Sequence, residues 1–255
     1  MPWIERKAGV KALHRFTQRL IAYETDLEIA DLLVRDFLAG AADDRSLCQA
    51  IGGRANLYPR LHACRNTAQA RKIVGLHLKR TLHVAFIKEL YEDFSEFLST
   101  SLSRAALAGI DAARFAGEAR LDLHAKEILQ AGSWDAVIRL ISDKIFRALE
   151  NERNTRMLIN KMSVRVGLRL EDQPLNDAMP YLDARHILVH RDGKPDEIYT
   201  RSYPDISIVK GEINLNFEFV SRARNAVLAL AEHIDVKMVE AGLVRQQDMA
   251  GQRRE

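Results

Sequence analysis

Several things are scarce in this chain, and each shortage closes off a class of protein. The 255 residues contain two cysteines, Cys48 and Cys64, with no CxxC pair and no histidine at metal-ligand spacing. That excludes a disulfide-stapled scaffold and fits free thiols in a reducing compartment. No stretch approaches the roughly 18 apolar residues of a membrane span. Neither sign of charge dominates: 38 Lys and Arg face 35 Asp and Glu, a net +3, so bulk basicity gives no argument for a nucleic-acid partner. There is no Gly-rich phosphate loop, which leaves nucleotide hydrolysis without support, and no GxSxG elbow for hydrolase chemistry. Internal repeats and low-complexity segments are also missing. The first residues, MPWIERKAGVKALHRF, carry cations but no apolar core of a signal peptide, and the expectation is a cytoplasmic protein.

The sequence does contain helical periodicity almost throughout. With 47% hydrophobic and 29% charged residues, the composition is that of a folded globular chain able to bury a substantial core. From about Lys11 to Ala39, Leu13, Phe16, Leu20, Tyr23, Leu27, Ala30, Val34 and Phe37 keep spacings of three and four, a heptad seam that Gly40 ends. Such a seam serves an intermolecular coiled coil or a bundle helix within one subunit; the second is the expectation. Asp43 to Gly53 predicts a short helix capped by Asp43 or Asp44. A second long helix spans about Ala68 to Leu107, with Gly75 or Ser99 to Ser103 as candidate breaks, and its two apolar faces imply burial on more than one side. Shorter helical pieces follow at Asp111 to Ala116 and Arg120 to Gln130. Ser133 then caps a helix whose stripe is Trp134, Ile138, Ile141, Ile145 and Leu149. Asn154 to Val166 is helical and closed by Gly167. Ile206 to Phe217 predicts two short strands around Lys210-Gly211, before a last helix with Val220, Val227, Ile234 and Met238 inward.

Chemistry concentrates in Pro174 to Tyr199, PLNDAMPYLDARHILVHRDGKPDEIY. Leu175, Met179, Leu182, His186 and Val189 predict one apolar stripe of a helix, stopped by Gly193 and Pro195. Pro180 should kink this helix or move its start to about residue 181. On an ideal wheel with Leu175 at zero, Arg185 falls at about −80°, His186 at about +20° and His190 at about +60°. A guanidinium and an imidazole then flank the stripe, and His186 reads as a packed, hydrogen-bonded residue within it. Imidazole suits acid/base work, and the guanidinium fork suits phosphate. The bland alternatives are a helix-end histidine and an arginine paired with Asp183 or with an acidic residue elsewhere. His186 and His190 share the spacing of half a metal site, but a zincin needs Glu where Ile187 stands, and no third ligand follows nearby. No metal or cofactor is expected. Arg165, Arg169, Arg191, Lys194 and Arg201 surround the segment in sequence, as a positive rim for RNA phosphates or as solvated loop charge.

Arg185-His186-Ile187-Leu188-Val189-His190 resembles the motif of HEPN domains, which is Arg, a polar residue, three more residues and His. Asp192 to Tyr199 is similar to the stretch that follows the motif in many bacterial members, and the resemblance extends over about Asn154 to Ile234. It implies a helical bundle that dimerises across the motif helix; with the strands read from Ile206 to Phe217, the expected fold is an all-α multi-helix bundle with a short extended or β insert before the C-terminal helix. It also implies a metal-independent endoribonuclease in a toxin or antiviral role, with RNA as substrate and a cognate antitoxin or defence-system protein as possible partner. By the same resemblance His190 is the catalytic histidine, Arg185 its partner and His186 the polar second position. Members regulated by a nucleotidyltransferase often carry Tyr two residues after the His, where this chain has Asp192. A non-catalytic helical module binding a protein or nucleotide is the alternative from another class. The expected organisation is one domain over 1–244, with an N-terminal helical extension (1–67), a bundle core (68–244) and a flexible tail (245–255).

Overall fold

The computed structural model describes residues 9–117, 122–150 and 154–250. The fold is all-α with one two-stranded insert. Its order is α1 (Lys11–Ala39), α2 (Leu47–Ala50), α3 (Pro59–Ala63), α4 (Ala68–Leu107), α5 (Ala112–Ala116), α6 (Ala125–Gln130), α7 (Trp134–Glu150), α8 (Thr155–Val166), α9 (Asp172–His190), α10 (Glu197–Ser202), β1 (Ile208–Val209), β2 (Glu212–Ile213) and α11 (Phe217–Glu240). Of the helical piece expected from Arg120, residues 120 and 121 lie outside the described residues. Among the described residues, no helix is long and apolar enough to cross a membrane.

The backbone of the fold is the antiparallel pair α1 and α4. Every residue of the α1 seam is buried or half-buried, and α1 packs chiefly along α4, so the heptad repeat is satisfied within one chain. Phe16 contributes a ring to a cluster with Phe94 and Phe97 on α4, at centroid separations of 6.2 and 5.9 Å. Helix α4 runs unbroken for 40 residues, and neither Gly75 nor the serines near its end interrupt it. At Gly75 a Cβ would sit 3.0 Å from the Leu38 side chain, so the glycine serves close packing. Around the second half of α4, helices α7, α8, α9 and α11 close a single core that includes Leu98, Leu102, Ile145, Ile159, Met179 and Leu230.

Four expectations are corrected. First, residues 1–67 are not merely an extension, because Val10, Ala12, Phe16, Leu20 and Leu27 belong to the same core. Only the far half of the hairpin, with α2 and α3 between its arms, projects beyond that core. Second, residues 245–250 are not a loose tail. Met249 forms a β-bridge with Val10, the Ala250 N–H donates to the Gly9 carbonyl at 2.7 Å, and Arg245 pairs with Asp135 at 2.9 Å. Third, Ser46 rather than Asp43 or Asp44 caps α2, in a reciprocal capping box with Gln49. Fourth, Trp134 leaves the stripe of α7 and stands 71% exposed, while Val137 takes the buried side of the first turn. The strand insert is as read: Ile208 pairs with Ile213, and Lys210 and Gly211 both take positive φ (55° and 79°) at the turn.

Candidate active site

Helix α9 carries Arg185, His186 and His190, and it passes through Pro180 without ending. Pro174 lies in its first turn, where a missing N–H costs nothing. The Tyr199 hydroxyl, delivered by α10, donates to the Pro180 carbonyl at 2.8 Å and braces the turn that the proline weakens. At the other end, the N–H groups of Arg191 and Gly193 both donate to the Ile187 carbonyl, at 3.0 and 3.1 Å. Gly193 has φ +82°, and a Cβ there would lie 3.0 Å from the Arg80 guanidinium. Arg80 reaches from α4 to donate to the Asp192 carbonyl at 2.9 Å and to pair with Glu212 of β2 at 2.6 Å. Sequence reasoning did not find this latch, because Arg80 lies 112 residues from Asp192 and belongs to no local motif.

The buried side of α9 changes along its length, and this overturns the reading of His186. Up to Leu182 the expected stripe holds: Leu175, Met179 and Leu182 are buried. Beyond it, Ala184, Ile187 and Leu188 are buried instead, which lie at about 180°, +120° and −140° on the same wheel. His186 and His190 are therefore both exposed, with Val189 half-buried between them. Helix α9 packs against α11 and against α4, and its last turns are covered from the side opposite the one the first turns bury. The two imidazole rings stand together, 4.8 Å between centroids at an interplanar angle of 47°.

Arg185 lies elsewhere. Its guanidinium sits 5.0 Å from the centre of the Tyr91 ring and 4.0 Å from Glu92, both on α4. Its Nε is buried without a hydrogen-bond partner. The side chain borders a cavity of about 510 Å³ between α4 and α7 that also presents Glu92, Glu96, Asp143, Glu150 and Arg147. Neither histidine lines that cavity. One chain thus assembles the two imidazoles but holds Arg185 apart from them, beside an excess of carboxylates. The plain reading of Arg185 as an ion-pair residue is met by Glu92, 4.0 Å away, and not by Asp183, which accepts a hydrogen bond from the Tyr203 hydroxyl. Burial pushes the Asp183 carboxyl above the usual range, against the effects of that bond and of the Arg156 and His186 charges.

The five basic residues expected to form a rim divide into two groups. Arg165 caps the end of α5, donating to the carbonyls of Phe115 and Ala116. Arg169 is exposed in the loop before α9. Both lie at the start of α9, whereas Arg191, Lys194 and Arg201 follow its end, and 19 helical residues separate the ends by about 28 Å. The five therefore do not form a single rim: two precede α9 in the chain and three follow its end. Lys194 and Arg201 are exposed, and Arg191 pairs with Asp196 at 2.6 Å.

Among the described residues, no three His, Cys, Asp or Glu side chains converge as a metal site. Comparison of the chain with protein-family models, with curated proteins and with solved structures finds no match.

Proposed function

We propose that the chain is a metal-independent endoribonuclease of HEPN type, acting in the cytoplasm as a toxin or antiviral effector. The observation that carries this reading is the exposed His186–His190 pair, 4.8 Å apart, on a helix whose opposite face there is packed into the core. In the reaction, the 2′-oxygen of the RNA attacks the adjacent phosphorus while the bond to the 5′-oxygen breaks. His190 accepts the 2′ proton, and a protonated imidazole returns a proton to the departing 5′-oxygen. The products are a 2′,3′-cyclic phosphate and a 5′-hydroxyl, and DNA, which lacks the 2′-oxygen, is not cut.

Stabilising the negative charge that builds on the phosphate is the task assigned to Arg185. Since Arg185 and His190 of one chain face different spaces, the reading requires a second copy across a twofold axis, so that each cleft draws on both motif helices. The second reading, a helical module that binds without cutting, draws its support from the Tyr91 ring and the acidic cavity that hold Arg185. The test is digestion of single-stranded RNA by the purified chain in excess EDTA. Cyclic-phosphate products, lost in His190→Ala and in Arg185→Ala, support the nuclease; a strict metal requirement or 3′-hydroxyl products would sink it. Light scattering should give a mass near twice 28.9 kDa.

A further inference from the structure

The far end of the α1–α4 hairpin has a charge unlike that of the rest of the molecule. Residues 43–72 include six cations and two carboxylates, a net +4, whereas the whole chain carries +3. Two of those cations are used internally. Arg45 pairs with Asp43, and Arg71 is buried, donating to the Phe37 carbonyl and to Asn66 Oδ1 at 2.6 Å each. Arg54, Arg60, Arg65 and Lys72 are exposed, and among the described residues none has a carboxylate at ion-pair distance.

One of these cations, Arg54, borders a cleft of about 380 Å³ that is also lined by Cys48, Gly53, Leu57 and Tyr58. Its shape is fixed by local chain geometry. The N–H groups of Leu57 and Tyr58 both donate to the Arg54 carbonyl, at 3.0 and 3.1 Å, which brings Arg54 and the Tyr58 ring to one mouth. Gly53 donates to the Cys48 carbonyl at 2.7 Å, and a Cβ on it would lie 2.9 Å from Cys48 Sγ and 3.2 Å from the Tyr58 ring. Only glycine lets the ring lie this close to the floor. Tyr58 remains 50% exposed, and Pro59 at the first position of α3 restrains the backbone that carries it.

We infer that this cleft is a binding site for single-stranded RNA, with a base against Tyr58 and the flanking phosphates on Arg54, Arg60 and Arg65. A half-exposed ring next to unpaired guanidinium groups is the arrangement by which single strands are held without sequence readout. An acidic peptide with an apolar side chain is the competing ligand. The extended residues at the tip, Ser46 and Arg65, pair with each other in one isolated bridge, and helices of four and five residues form no groove for a partner helix. The choice of RNA over DNA rests on the function proposed above; the single-strand site does not.

The test uses the full chain carrying His190→Ala, so that bound RNA is not consumed, and an unstructured 12-nucleotide fluorescent RNA read by anisotropy. Tyr58→Ala should weaken binding about 5- to 150-fold, and Tyr58→Phe should restore it. Arg60→Gln, an exposed change that touches no packing, should lower the magnitude of the log–log salt slope by about 0.7. Equal affinity and equal slope across these variants overturn the proposal, as does a parent chain that ignores RNA, whether or not it captures a leucine-containing polyglutamate peptide. Cleavage by the wild-type chain is scored separately. Binding that depends on Tyr58 without any cleavage keeps this site and removes the nuclease, and cleavage with indifferent tip variants does the reverse.

Discussion

The end of α9 and the tip of the α1–α4 hairpin are both exposed polar regions, but they are held in different ways. The end of α9 is backed by the main core through Ile187 and Leu188 and latched by Arg80. The acid/base groups proposed for catalysis thus sit on a rigid helix, which suits groups that must keep their geometry. The hairpin tip has little core of its own. Leu47 and Cys48 are buried there, but the anchor is polar: Arg71 holds Phe37 and Asn66, and Asn66 in turn donates to the Ala41 carbonyl and to Asp43. Gly40 is required for that anchor, since a Cβ there would lie 2.2 Å from Arg71 Nη1. The proposed catalytic groups thus lie where apolar packing is dense, and the proposed binding cleft where hydrogen bonds carry the fold.

The largest test of this contrast is His190→Ala, which should lower RNA cleavage by about 10²–10⁴ while leaving thermal unfolding unchanged, because the side chain is exposed. An equally active variant removes the end of α9 from the chemistry. Next in size, Arg71→Met should destabilise the tip by about 1–3 kcal/mol, since it leaves the Phe37 carbonyl and Asn66 without their donor. Hydrogen exchange should rise across 41–67 and stay unchanged in α9; a uniform rise would show that the two regions unfold together.

Acid should separate the regions further. Burial raises the Asp235 carboxyl to about 6, against the hydrogen bond from the Val10 N–H and the Arg104 charge, and Glu232 adds to the rise. Because its folded value exceeds the unfolded one, the native body binds the extra proton. Its contribution is complete below pH ~4 and declines as pH rises through about 6. Asp235→Asn should flatten that dependence by on the order of 1 kcal/mol in urea titrations at pH 4 and 7. At the tip the sign is opposite. Hydrogen bonds from Arg45 and Asn66 hold Asp43 down at about 2, so its contribution is present above the unfolded value and is lost as pH falls through that range. The smallest effect should come from His186→Asn. At this exposed site, stability should move by less than about 0.5 kcal/mol. Cleavage should fall less than in His190→Ala, and an equal loss would make His186 a proton carrier in its own right.

Much of the fold was legible because helical periodicity is a local signal. The bounds of α1, α4 and α8 and the turn at Lys210-Gly211 follow from spacing, caps and glycines. The motif on α9 was legible for the same reason, since Arg185, His186 and His190 lie within six residues. The direction each side chain faces was not. A single stripe drawn from Leu175 to Val189 assumes that one neighbour covers the whole helix, whereas the buried side turns over after Leu182. The tip cleft carried no motif, because its parts, Cys48, Gly53, Arg54 and Tyr58, are ordinary residues until one turn brings them together.

Local signals along the chain suffice to show that it is helical, where most helices begin and end, and which residues could do acid/base work. These depend on hydrogen bonds and side-chain periods within a few residues of each other. Long-range packing alone sets Arg185 over Tyr91 with the histidines facing outward, binds Met249 and Ala250 to Val10 and Gly9, and gathers unpaired cations at the hairpin tip. Each of these is set by groups far apart in sequence, and no local propensity encodes such a meeting.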